Sequence, residues 1–141
     1  STALAPQAAL ADSIIGRHAA QQVLPVRRAF DLQMHPSLHA DSPMFPTEAF
    51  SLMQTAVTRQ TASGQVLNAA QAISVRQALR AMTINAAWQL GIEQQAGSLE
   101  VGKWADLQIV DQSPYAVPTQ RLSALKVDEV YLAGALQYRR D

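Results

Sequence analysis

The sequence predicts an α/β fold in which helices come first and strands close the chain. Three observations predict it. Across much of the first two thirds, apolar residues recur at three- and four-residue steps, the spacing of one helix face. The stretch Gly97–Asp111 then changes period. Gly97 and Gly102 can take φ > 0 and turn the chain, and Gly102-Lys103 reads as a tight turn. After it, Ala105, Leu107 and Ile109 fall on one face of a strand and Asp106, Gln108 and Val110 on the other. Finally, Val127–Tyr138 reads as two short strands about a turn at Ala133-Gly134.

Size and charge narrow the functional classes. The chain has 141 residues, enough for one domain with a real core. Its 11 basic and 11 acidic residues cancel, which argues against a nucleic-acid or anionic-membrane partner. With no cysteine, disulfides, zinc–thiolate sites and a thiol nucleophile are excluded. No apolar run approaches the ~18 residues of a membrane span, and Ser1–Leu10 lacks the pattern of a secretory signal. The expected compartment is cytoplasmic. The chain opens on Ser1, without an initiator Met, which suggests a piece of something longer.

The elements follow in order. Asp12 or Ser13 can cap a helix whose stripe is Ile14, Ile15, His18, Ala19, Val23 and Leu24. Pro25 kinks or restarts it, and Val26, Ala29, Phe30 and Leu32 carry the stripe on, with Arg27 and Arg28 on a solvated face. In Gln33–Asp41, Met34, Pro36 and Leu38 alternate with His35, Ser37 and His39, the pattern of a short strand. Thr47 is the expected cap of a helix carrying Phe50, Leu52, Met53, Ala56 and Val57, stopped over Gln60–Gly64. Ser74 and Gln77 form a capping box. The helix they start is interrupted at Thr83-Ile84-Asn85, resumes through Ala86, Ala87 and Leu90, and closes at Gly91. A loop with Pro114 and Pro118 leads to one turn over Leu122–Leu125, then the hairpin, then a solvated tail, Arg139-Arg140-Asp141.

Four stretches carry a family resemblance. Gly-Ser-Leu-x-x-Gly-Lys-x-Ala-Asp-Leu-x-Ile-Val-Asp (97–111) resembles the C-terminal signature of the amidohydrolase superfamily. Ala78–Ala87 resembles the family's Ala-x-x-x-x-Thr-x-x-Ala-Ala helix pair, which precedes that signature. Lys126-Val127-x-x-Val130-Tyr131-Leu132-x-Gly134 resembles its last hairpin, and His39-Ala40-Asp41-Ser42-Pro43 resembles the end of its eighth strand. The approach to the helix pair and the His-x-Asp-x-Pro run look most like the branch of N-substituted formamide deformylase-like enzymes. The resemblance implies the C-terminal part of a (β/α)8 metal-dependent hydrolase barrel, residues 1–96, with its eighth strand near 33–41. Residues 97–141 would be the closing strands of a small composite β-sandwich beside it.

Asp41 is the foremost site candidate. Read without the family, an aspartate between a strand and a helix is ordinarily a cap. The resemblance implies more: there the equivalent aspartate binds the metal and takes a proton from the attacking water. A carboxylate suits both tasks. Ala40 stands where serine or another small residue is usual. His39 lies on the same strand face as Asp41 and could line the substrate pocket, or simply be a hydrogen-bonded structural histidine. His35 reads as buried structure and His18 as core or boundary. Pro36 argues against a helical His35/His39 zinc pair. Trp88 and Trp104 read as packing anchors between barrel and sandwich. Lys103 reads as exposed on its turn, and Ser42 and Ser98 lack a base partner fixed by sequence.

The other ligands of the family's metal site, a first-strand His-x-His above all, cannot be placed in this chain. A catalytic zinc takes about three protein ligands. The isolated chain is therefore expected to be inactive and to hold no metal tightly, while the parent enzyme would use a divalent metal, zinc by resemblance, to hydrolyse C–N bonds of small-molecule amides. Its expected partners are the remainder of the barrel and further copies of itself, because unpaired strand edges invite association. The alternative is a stand-alone, non-catalytic assembly or binding module descended from that fold.

Overall fold

The computed structural model describes residues 24–43, 45–61 and 64–141. The Asp12 or Ser13 cap, and the helical stripe up to Val23 with His18, lie outside the described residues. A helix begins directly after Pro25. This proline stands as N-cap of α1, Val26–Asp31, with φ at −77°, and Leu24 before it turns the chain at φ 54°. Arg27 and Arg28 are exposed as expected, Arg27 pairing with Asp31 one turn on at 2.9 Å.

Helix α2, Ala49–Thr58, buries Phe50, Leu52, Met53 and Ala56. Both of its ends differ from expectation by a few residues. Glu48, not Thr47, occupies the N-cap position, and its carboxylate accepts from the Ser51 hydroxyl at 2.9 Å instead of from a backbone N–H. The helix ends on Arg59 at φ 56°, so the left-handed stop falls on a non-glycine residue. Gly64, at φ 82°, serves the turn beyond, where its N–H reaches the Thr61 carbonyl at 2.9 Å.

Helix α3, Val75–Met82, starts on the expected capping box. Gln77 N–H donates to Ser74 Oγ at 3.2 Å, and Ser74 N–H to Gln77 Oε1 at 2.9 Å. The interruption falls at Thr83, whose φ and ψ of −126° and −98° leave the helical region. Helix α4, Ile84–Gln89, follows, and Gly91 closes it at φ 71°. The core forms where α2 and α3 meet the short 3₁₀ helix at Thr119–Ala124: Met53 is 1% exposed, Ala78 0% and Leu122 0%.

The closing strands are β1, Leu107–Val110, β2, Val127–Leu132, and β3, Ala135–Arg139. They form an antiparallel sheet in the order β1-β2-β3. The expected hairpin is there. Ala133 and Gly134 turn it with φ of 49° and 78°, the pair of positive values that a two-residue hairpin needs. The clean alternation expected for β1 is not. The register shifts between Ile109 and Val110, so Gln108 and Ile109 are both exposed while Leu107 and Val110 are partly covered. The tail is less free than expected: Arg139 ends β3 and pairs with Glu129 at 2.8 Å, and Arg140 pairs with Asp128.

The short strand expected over Gln33–Asp41 carries no ladder among the described residues. Gln33 and His35 have φ of 57° and 50°, which no strand tolerates, and Pro36 has no N–H to give. The segment crosses instead against the α3–α4 corner.

Candidate active site

The contacts of residues 35–38 are made to one corner of the molecule. Leu38 N–H points to the Ala81 carbonyl at 3.4 Å. The Asn85 amide donates to the Pro36 carbonyl at 2.9 Å, and the Gln89 amide to that of His35 at 3.2 Å. The Ser37 hydroxyl donates to Gln89 Oε1 at 2.7 Å. His35 is exposed rather than buried; its ring stacks on Trp88 with centroids 4.9 Å apart. Trp88 and Trp104 are each about half exposed, at 50% and 51%, so neither is enclosed in packing within this chain.

Asp41 follows three residues later. It is exposed, outside any helix, with φ of 56°. Aspartate tolerates this left-handed conformation better than most residues, and such conformations gather at functional sites. Its own N–H donates to His39 Nδ1 at 3.2 Å. This backbone-to-side-chain bond ties His39 and Asp41 into one tight turn around buried Ala40, 8% exposed. The Asp41 carboxylate makes no hydrogen bond or ion pair among the described residues, so it caps no helix here.

The Gly97–Asp111 stretch is a structural device. A Cβ on Gly97 would lie 2.7 Å from Ala87 Cβ and 2.9 Å from Ile84 Cα, so only glycine lets the chain pass so close to α4, and at φ 88°. Lys103, expected to be exposed, has a side chain only 10% exposed. Its ammonium donates to Ser98 Oγ at 2.6 Å, and Ser98 in turn to Glu100 at 2.5 Å. The Ser98 hydrogen bond first, and the Lys103 charge second, hold the Glu100 carboxyl below its ordinary range. Asp106 accepts from Ala133 N–H at 2.7 Å and so pins the hairpin turn. Asp111 accepts from Lys126 N–H at 2.9 Å and closes the other end of β1. Both strand ends are locked by carboxylates, and neither aspartate is spare for chemistry.

Two further ionic features went unsignalled in the sequence. Arg59 is 3% exposed and gives its guanidinium to the carbonyls of Leu67 and Leu24 at 3.1 and 3.4 Å. Burial pulls its pKa down from its usual value, yet an arginine stays charged. On the sheet, the Tyr131 hydroxyl donates to Glu129 at 2.6 Å. That bond, opposed by partial desolvation and aided by Arg139, lowers the Glu129 pKa, and the same bond raises that of Tyr131. An apolar groove of about 720 Å³ lies between the sheet and the helices, lined by Phe50, Met53, Leu79, Met82, Leu107 and Val130 among others. Asp41 and His39 are not among its lining residues.

The donor set fits a divalent cation only in part. Among the described residues, no three His, Asp or Glu side chains lie close enough together to hold one. Asp41 can offer one carboxylate oxygen, an incomplete shell; the Nδ1 lone pair of His39 is taken by the Asp41 N–H, which puts the ring proton on Nε2.

The chain is 36% identical over 119 residues to N-substituted formamide deformylase of Arthrobacter pascens, a match covering 84% of this chain and 22% of that protein. It is also similar to the crystal structure of an amidohydrolase from Thermotoga maritima MSB8, with a TM-score of 0.56 and 27% identity over 74% of this chain and 23% of that one. The chain thus spans about a fifth of the length of the curated relative it matches. The family model described as "Amidohydrolase family" matches residues 1–138. With nearly every residue inside that match, the chain belongs to the amidohydrolase family.

Proposed function

We propose that this chain is the C-terminal portion of a metal-dependent amidohydrolase that hydrolyses non-peptide C–N bonds in small-molecule amides. In this reading residues 1–96 end a (β/α)8 barrel and residues 97–141 supply strands to a β-sandwich beside it. The remainder of the barrel is the chain's first partner, a second copy the next, and the cytoplasm its compartment. The relative's name makes N-substituted formamides the first substrates to try.

One observation carries the reading. The carboxylate of Asp41 is exposed and uncommitted in a chain whose other motif aspartates, Asp106 and Asp111, are spent on the sheet. A divalent cation, zinc in this reading, would lower the pKa of a water and polarise the scissile carbonyl when bound. Asp41 would hold it through one oxygen, with the other ligands coming from outside this chain. Asp41 also accepts a proton from the attacking water and returns it to the leaving nitrogen, which otherwise departs as a poor amide anion. His39, whose Nδ1 accepts from the Asp41 N–H, would line the substrate side of the same turn.

The test is Asp41→Asn in the full-length protein, assayed for amine and formate release from N-substituted formamides. A general acid–base group is worth roughly 10²- to 10⁴-fold, so kcat should fall by at least about 100-fold. The melting temperature should hold, because the Asp41 carboxylate makes no hydrogen bond or ion pair among the described residues and asparagine keeps the backbone N–H that bonds His39. A variant as active as the parent would refute the role given to Asp41. The 141-residue chain alone should show no turnover with the same substrates.

A further inference from the structure

The turn that carries His39 and Asp41 does not hold itself in place. Residues 35–38 have no strand beside them among the described residues. What fixes them is the α3–α4 corner: the Ala81 carbonyl, the Asn85 amide, the Trp88 ring and both ends of the Gln89 amide. Asn85, Trp88 and Gln89 stand at i, i+3 and i+4, so they share one face of α4. Each of four consecutive residues, His35 through Leu38, is gripped from that corner.

Asn85 is the least expected member. It is 1% exposed, and its Oδ1 is a buried acceptor with no hydrogen-bond partner. Such an orphaned oxygen destabilises the fold. A leucine of similar size would pack there without that penalty. What leucine could not do is donate to the Pro36 carbonyl. Gln89 differs in being exposed, so its two bonds, to His35 and Ser37, matter little for burial and much for where the segment lies.

We propose that Asn85 and Gln89 are positioning residues for Asp41, acting through the backbone of residues 35–38. The proposal rests on the reading of Asp41 as the proton-transfer carboxylate. Asp41 sits three residues beyond the last gripped position, within reach of any sideways shift of the segment. A displacement of about 1 Å in a reacting group costs roughly 100-fold in rate.

Four variants of the full-length protein test it: Gln89→Met, Asn85→Leu, Asp41→Asn and Asp41→Glu. Gln89→Met removes both amide bonds at an exposed site and should lower kcat by about 10- to 100-fold. Its KM should stay within about twofold and its melting temperature within about 2 °C, as for a surface change. Amide hydrogen exchange at His39–Asp41 should quicken while that of α2 and β2 holds. Asn85→Leu should lower kcat similarly; if it fails to fold, Gln89→Met decides alone. Combined with Asp41→Glu, whose carboxylate is already displaced by a methylene, Gln89→Met should cost less than it does in the parent. An unchanged kcat in Gln89→Met beside a crippled Asp41→Asn overturns the positioning role and leaves the role of Asp41 standing. Full additivity with Asp41→Glu also overturns it, since the two would then act independently. A fully active Asp41→Asn removes both readings.

Discussion

The helical part of the chain and its sheet are ordered by different forces. Residues 26–90 contain a buried apolar core, in which Met53, Ala78 and Ala81 are at most 1% exposed, although Leu32, Met34 and Leu90 stay outside it. The sheet contains none. Ile109, Leu132, Leu136 and Tyr138 are 44–57% exposed. Only Val110 and Val127, at one end of the sheet, pack against the helical core. What holds the strands is therefore the backbone ladder, the carboxylates of Asp106 and Asp111 at its ends, and the Glu129–Tyr131–Arg139 network across it. A region held by burial and a region held by polar locks should fail under different insults.

The largest effect is expected in the helical core. Met53→Ala removes a side chain that is 1% exposed at the centre of the cluster with Phe50, Ile73 and Leu122. Deleting a buried methionine side chain costs about 2–5 kcal/mol through lost transfer energy and the cavity left behind. Denaturant unfolding of the chain should show that loss. A cost under about 1 kcal/mol would mean that the core is loose enough to collapse around the gap, and the contrast with the sheet would vanish.

A smaller effect, set by pH, is expected in the sheet. The Tyr131 hydroxyl and Arg139 hold the folded pKa of Glu129 below its unfolded value. A depressed carboxylate contributes stability that is fully present above the unfolded value, near ~4.3, and is lost as pH falls through the folded one. Glu129→Gln should therefore lower the melting temperature slightly at pH 7, and the gap should close as pH falls below about 4. A gap independent of pH would show that the ionised network contributes nothing to the sheet.

The same division explains what the sequence made legible. Local devices could be read. The Ser74–Gln77 box spans three residues, Gly91 closes α4 by its own φ, and Ala133-Gly134 makes its own turn. The helix stop at Arg59 carries no local signal, since nothing in the sequence marks an arginine as left-handed, whereas Gly64 nearby carries one. Lys103 sits on a turn yet is covered, because that turn folds its ammonium back onto Ser98, a closure the residue types do not announce. Alternation in 34–39 suggested a strand, but period two says nothing about φ at His35 or about the presence of a neighbouring strand. The tie from Asn85 to Pro36 crosses 49 residues, and no spacing rule announces it. For the site, Asp41 stood out only through the family resemblance of residues 39–43, and the hydrogen bonds that tie residues 35–38 to the α3–α4 corner had no counterpart in that motif.

The smallest effect is the sharpest test of the open sheet. Ile109 is 46% exposed and lies beside the register shift in β1. Threonine keeps the β-branched shape that strands favour, so Ile109→Thr removes apolar surface and little else. In this chain the change should stay within about 0.5 kcal/mol, as exposed substitutions do. If residues 97–141 join a sandwich in the full-length protein, this face is covered there. The substitution would then place a hydroxyl in an apolar layer and give up about 1.5–3 kcal/mol of side-chain burial. A cost that grows between the short chain and the full-length protein is what a completed sandwich requires. Equal, negligible costs in both would leave the face in water even in the complete enzyme, and the sandwich assigned to these strands would have to be abandoned.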